Sequence, residues 1–269
     1  MTDRQLAIGV DVGGSGIKAG AVDTESGQLL SPRLRVATPN PSTPDAVVRS
    51  IVRLVKKAGA GLDPRTPVGV GVPCVVLNGV TMTAANIDPA WVRFEAESAL
   101  TRALKRPVYV LNDADAAGLA EMRFGAGKGK NGVVLILTLG TGVGSALFVD
   151  GRLVPNTELG HMEIRGRDAE RRSGGCRRTR RGLSWKAWAT DLDEHLDAID
   201  RILWPSLLIL GGGVSKRDER FIPRLTTRPP VVAATLENDA GIVGAALAAI
   251  EHLAADVPAG ALERAPATR

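Results

Sequence analysis

Cysteine is scarce in this 269-residue chain: Cys74 and Cys176 are the only two. Two cysteines cannot build a disulfide framework, and neither stands in a CxxC or Cys/His zinc pattern, so no zinc site is expected. Long hydrophobic runs are missing as well. No stretch of about 18 apolar residues could span a bilayer, and no charged-then-apolar signal opens the chain. A soluble, cytoplasmic protein without a membrane partner is the expectation. The absence of GxxxxGK[ST] removes a Walker A loop, and the segment Glu158-Leu159-Gly160-His161 is not the HExxH metal motif. What the chain does have is 44% hydrophobic residues, enough to offset the entropy of folding, and 31 glycines.

Charge is unevenly placed. The net charge is +5 and the isoelectric point about 9.5, a balance that invites a nucleic-acid reading. Between Arg165 and Lys186, however, eight arginines and one lysine face only Asp168 and Glu170, a local surplus of seven. Removing it leaves the rest of the chain at −2. One segment makes the protein basic, so no nucleic-acid partner is expected, and any polyanion belongs at that segment.

Short apolar runs alternate with helical stretches, the pattern of α/β layers. Leu6–Val10 predicts a strand, followed by the turn Asp11-Val12-Gly13-Gly14-Ser15-Gly16 and further strands over 17–22 and 29–36. Strands rather than a helix follow the glycines, which excludes a Rossmann start. Residues 44–58 predict a helix with Thr43 as its cap and Pro44 in its first turn. Strands are predicted at 68–72 and 108–111, with helices near 94–104 and over 113–124. A second cycle of strand (133–137), glycine turn (140–144) and strand (146–149) repeats the first. A helix over 184–203, a strand over 207–210 running into Gly211-Gly212-Gly213, and a helix over 240–253 complete the pattern. The repeat suggests two similar subdomains, each turning glycines toward a shared cleft.

Glycine lets backbone approach a ligand and aim successive N–H groups at a phosphate. Each glycine turn alone could be a tight hairpin; the pair, with Gly211–Gly213, favours a phosphate or nucleotide cleft. Asn112-Asp113 ends a strand and opens a helix, where a carboxylate either caps the helix or serves as a general base at the carboxyl edge of a sheet. Glu158 and His161, three apart on a turn, suit neighbouring hydroxyls of a sugar.

These residues, in order, carry a resemblance. Asp11–Lys18, Leu111–Gly118, Leu139–Ser145, Glu158–His161 and Leu210–Ser215 resemble the motifs of the ROK family of sugar kinases, within the actin/hexokinase-like superfamily, over roughly residues 6–250. Ala84-Ala85-Asn86, Val154–Glu158, Gly182–Trp185 and Ala240–Ala246 look closest to its polyphosphate glucokinase branch, which includes polyphosphate/ATP glucomannokinases. The resemblance implies an actin/hexokinase-like (ribonuclease H-like) fold of two domains around a cleft. Residues 1–112 with 241–255 would form the smaller domain, 113–240 the larger, and 256–269 a flexible tail.

It implies phosphorylation of glucose, and in some relatives mannose, at the 6-hydroxyl from polyphosphate or ATP, with Mg²⁺. Asp113 would be the base. Asn86, Asn112, Glu158, His161 and Glu170 would hold the sugar. Gly13, Gly14, Ser15, Gly16 and Lys18, with Gly140, Thr141, Gly142 and Gly144, would hold phosphate, and Asp11 would lie near Mg²⁺. Gly211, Gly212 and Gly213 would line the adenosine pocket, while Arg177, Arg178, Arg180 and Arg181 would form a polyphosphate track. Alternatives are an ATP-dependent kinase for another hexose such as N-acetylmannosamine, or a non-catalytic sugar-binding protein. A repressor of the same family would need an N-terminal DNA-binding domain, for which a strand starting near Leu6 leaves no room. Whether the chain is monomer or homodimer is left open. Two departures stand out. The family's cysteine-rich zinc motif is reduced to Cys176, and its Gly-x-Pro-Gly loop reads Gly71-Val72-Pro73-Cys74, a side chain expected to crowd the sugar.

Overall fold

The computed structural model describes residues 5–255; the predicted tail over 256–269 lies outside them. The chain starts with an antiparallel hairpin, β1 (Leu6–Gly13) and β2 (Gly16–Asp23), paired in full register from Leu6↔Asp23 to Gly13↔Gly16. The predicted strand over 29–36 is two pieces, β3 (Gln28–Leu29) and β4 (Leu34–Val36), both paired to β2. Pro32, between them, has no N–H to give a ladder. Helix α1 (Pro44–Ala58) buries Val47, Ile51, Leu54 and Val55 on one face. Thr43 is extended at its start but makes no side-chain capping bond, so Pro44 carries the start.

Strand β5 (Val68–Val72) is buried throughout and is followed by a small hairpin of β6 (Val76–Leu77) and β7 (Val80–Thr81). Helix α2 (Ala96–Leu104) starts two residues later than predicted, because Phe94 bridges to Thr81. Then come β8 (Val108–Asn112) and α3 (Asp113–Phe124). The first sheet runs β3-β2-β1-β5-β8, with β5 parallel to both β1 and β8.

The second half repeats this order. Strands β9 (Val133–Leu139), β10 (Val143–Val149) and β11 (Arg152–Val154) form a meander, and the short pair β12 (Glu163–Ile164) and β13 (Arg167–Asp168) follows. Helices α4 (Glu170–Ser173), α5 (Gly175–Arg180) and α6 (Trp185–Leu203) precede β14 (Leu207–Gly211), β15 (Val231–Ala233) and α7 (Ala240–Ala255). The second sheet runs β11-β10-β9-β14-β15, again with the last strands parallel. Two sheets of one topology, each a meander followed by parallel strands, make a mixed α/β fold of the duplicated, actin-like kind. Trp188, Leu192, Leu196 and Ile199 of α6 close the core of the second sheet.

Helix α7 returns to the first sheet. A side chain on Gly9 would strike the Ile242 carbonyl, one on Gly69 the Ala245 carbonyl, and one on Gly244 the carbonyl of Ala116 in α3. Bare glycine backbone therefore seats α7 directly on β1, β5 and α3. Among the described residues, no helix is long and apolar enough to cross a membrane.

Candidate active site

The carboxyl ends of β1, β5 and β8 lie side by side, with Asp11 opposite Gly71 and Gly71 opposite Leu111. That register carries Asp11 and Asp113 to one edge. Gly71 makes the approach close: a Cβ there would sit 3.3 Å from the Asp113 Cα and 3.4 Å from the Ala116 Cβ. Asn112, not Asp113, caps α3; its Oδ1 accepts from the N–H groups of Ala114 (2.8 Å) and Asp115 (3.1 Å). Its Nδ2 donates to the Cys74 carbonyl at 3.2 Å, which leaves one N–H of the amide for a ligand. The Asp113 carboxylate is thereby released from capping.

Asp113 is pushed up to about 7 by burial first and then by the negative charge of Asp11, with Glu158 and Asp115 adding and the Ala114 N–H opposing. A half-buried carboxyl held near neutrality suits proton abstraction. Asp11 itself pairs with Lys18 Nζ at 2.8 Å across the hairpin.

One cleft of about 320 Å³ gathers Asp11, Gly13, Ser15, Lys18, Asp113, Gly140 and Gly211–Gly213, with Lys216, Glu237 and Asn238 at its far end. Gly14 and Asn86 line an adjoining hollow of about 200 Å³. Two of these glycines also serve packing. Gly144 lies under α3, where a Cβ would fall 2.8 Å from the Ala114 Cβ and 2.6 Å from Thr138 Oγ1. Gly16 leaves room for the guanidinium of Arg35, whose Nη2 donates to the Ser15 carbonyl at 3.0 Å. Thr141 offers its carbonyl to Cys176 Sγ (3.2 Å), which ties the second turn to α5.

The residues expected to hold a sugar converge beside this cleft. Glu170 Oε2 accepts from the Val143 N–H at 3.0 Å, and a Cβ on Gly142 would collide with that oxygen and come 3.2 Å from Asn86 Nδ2. His161 stands between carboxylates, Nε2 at 3.7 Å from Glu158 and Nδ1 at 3.3 Å from Asp168. Burial raises the Glu158 carboxyl, His161 lowers it and Glu170 raises it again. His161, Asp168 and Glu170 each bring a potential ligand atom within 4.8 Å of the others, the imidazole exposed and the two carboxylates half-buried.

Three features escaped the sequence reading, and one expectation is corrected. Buried His195 donates Nε2–H to the Leu159 carbonyl (3.0 Å) and meets Ser173 Oγ at 2.9 Å, bracing the Glu158–His161 turn from α6. Buried Asp115 accepts from the Asn156 N–H at 2.8 Å. Arg35 reaches the first turn from an edge strand. Cys74 does not crowd the cleft; its side chain is 1% exposed within the first core, and burial pushes its thiol up to about 12.

The arginines of α5 and its end are not four free charges. Arg181 pairs with Asp191 at 2.8 Å, and Arg178 lies 4.2 Å over the Trp185 ring while donating to the Leu183 carbonyl. Arg180 is exposed, and Arg177 keeps a buried Nε with no partner. Nearby Arg172 bridges Asp191 and Glu194.

A ROK family profile matches residues 7–191. The chain is 46% identical over 250 residues to a polyphosphate glucokinase of Mycobacterium tuberculosis, covering 93% of each sequence. The crystal structure of an inorganic polyphosphate/ATP-glucomannokinase from Arthrobacter sp. strain KM superposes with a TM-score of 0.89 at 47% identity, over 92% of this chain and 99% of that one. A ROK family glucokinase from Streptomyces griseus, in complex with glucose and AMPPNP, gives 0.80 at 28% identity, over 91% and 99%.

Proposed function

We propose, from the premise that this chain belongs to the ROK family, that it is a glucokinase transferring a terminal phosphoryl group from polyphosphate or ATP to the 6-hydroxyl of glucose. The observation that carries the reading is the Asp113 carboxyl, free of capping, held near neutrality and facing Asp11 across one cleft with glycine turns from both sheets.

Asp113 takes the proton of the 6-hydroxyl as it attacks the terminal phosphorus, a role worth about 10²–10⁴ in rate. Asn86, Glu158, His161, Glu170 and the spare N–H of Asn112 hold the remaining hydroxyls and fix the angle of attack. Backbone N–H groups of the two glycine turns receive the transferring phosphoryl group, since in this chemistry the protein mainly positions and neutralises. Gly211–Gly213 receive the adenosine when ATP is the donor. Kinases of this type generally work with a divalent metal, and we assign Mg²⁺ to Asp11. A carboxylate on the cleft wall, near enough to Asp113 to raise it, offers the oxygen donor a hard cation prefers. The ion, when bound, neutralises charge on the phosphoryl group. Mannose is proposed as a second acceptor. The lobes proposed to close on the sugar are residues 1–112 with 241–255, and 113–240.

The test is glucose 6-phosphate formation with polyphosphate, with ATP and with no donor, run in parallel. Product from ATP alone would favour an ATP-dependent ROK kinase, and no product from either donor would favour a sugar-binding protein.

A further inference from the structure

Cations at the rim of the donor cleft are almost all neutralised. Lys18 pairs with Asp11 (2.8 Å), Lys216 with Glu237 (2.7 Å) and Arg33 with Asp239 (2.6 Å). Arg35 forms no ion pair among the described residues, although it is exposed and touches the first glycine turn. Its position is set by register. Asp11 on β1 lies opposite Lys18 on β2, and Lys18 lies opposite Arg35 on β4. Residues directly opposed across a ladder project from the same face, so Arg35 extends the face that Asp11 and Lys18 present to the cleft.

The guanidinium is also held in place. Nη2 donates to the Ser15 carbonyl at 3.0 Å, and a Cβ on Gly16 would fall 2.7 to 2.9 Å from Nε, Nη2 and Cζ. Gly16 thus provides a flat floor for the guanidinium, and only one of its five N–H donors is spent on the protein. A planar cation fixed at one corner, lacking a carboxylate, beside a phosphate-cradling turn is suited to a phosphate oxygen pair.

We infer that Arg35 binds a phosphate of the polyphosphate chain beyond the unit being transferred, so that this donor leaves the cleft across the β1–β2–β4 face. The inference rests on the polyphosphate reading above. ATP turns instead toward Gly211–Gly213 and the second sheet, and carries no phosphate chain to run past Gly16. Polyphosphate repeats its charge at every unit and has no base to seat, so the unneutralised arginine on the first sheet favours it over ATP.

The experiment compares wild type, Arg35→Ser and Arg35→Lys with long-chain polyphosphate, tripolyphosphate and ATP, at low and moderate salt. Arg35→Ser should raise the ratio of the long-chain polyphosphate KM to the ATP KM about tenfold. It should also lower the slope of log KM against log salt by about one, as loss of one phosphate contact does for other polyanions. Arg35→Lys should fall between the two, because it keeps the charge and loses the fork. Retained turnover with ATP and an unchanged melting temperature separate this from misfolding. An equal rise in both donor KM values would make Arg35 a general donor contact and overturn the chain path. An unchanged ratio at low salt would overturn the inference outright while leaving the donor reading intact. Wild type that uses ATP but not polyphosphate would overturn both.

Discussion

Asn156 donates its backbone N–H to Asp115 Oδ2 at 2.8 Å. The same residue pairs its side-chain amide with both backbone groups of Val76, Nδ2 to the carbonyl and Oδ1 from the N–H, each at 2.9 Å. A single residue at φ 60° therefore ties the approach to Glu158 to α3 and to β6. Asn156→Gly keeps the backbone free to hold that angle and removes only the amide. It should cost about 1–3 kcal/mol, because partly buried Val76 groups lose their partners. Glucose KM should rise more than kcat falls as the Glu158 turn loosens. Urea melts and steady-state kinetics check both; an unchanged midpoint would contradict the clasp.

Asp113→Asn removes the proposed base and almost no volume. Turnover should fall by at least about 10², with glucose binding by calorimetry preserved. Near wild-type kcat would mean another group takes the proton.

Asp115 should make stability fall with pH. Burial pushes its carboxyl from 3.8 up to about 7, with the Asn156 N–H opposing and Glu158 adding. The native state holds this proton more tightly than the unfolded chain does. Its contribution is therefore full below about pH 4 and is lost as pH rises through 7. In metal-free protein, Asp115→Asn should gain on wild type steadily between pH 4 and 8. Parallel unfolding profiles over that range would contradict the assignment.

Gly142→Ala places a methyl group against Glu170 Oε2 and near Asn86 Nδ2. Both groups, proposed to hold the sugar, must shift, so glucose KM should rise about tenfold, equivalent to 1.4 kcal/mol, while donor KM moves less. Equal effects on both substrates would place Gly142 in the phosphate cradle instead.

Arg178→Ser combined with Arg181→Ser should lower stability by about 1–2 kcal/mol, through loss of the Trp185 contact and the Asp191 pair. The polyphosphate KM should change little. A large KM effect without a stability effect would place these two arginines on the donor path.

Motif order made the fold legible, because the strand, glycine turn and strand over 6–22 and 133–149 are local patterns. That Asp113 and Asp11 would share one cleft was legible for the same reason, each lying inside a contiguous motif. The packing contacts of Gly16 and Gly144 were not, since a glycine that admits a neighbour and one that cradles phosphate look alike in a string. Arg35 escaped because only the β2–β4 register brings it to Ser15, past a proline that splits the expected strand. His195 escaped because its partners, Leu159 and Ser173, come from other turns. Cys74 was expected to crowd the sugar because its burial in the first core depends on packing that no local motif shows.

The seating of α7 on Gly9 and Gly69 has a consequence for the order of manufacture. Strands β1, β2, β5 and β8 are synthesised first, yet the helix that covers them is encoded after the whole second sheet. At about 5–20 residues per second, the nascent first sheet waits many seconds with an apolar flank uncovered. Ribosome-associated chaperones would find their substrate there, and the first half of the polypeptide should resist protease only once Ile242 and Ala245 have cleared the exit tunnel.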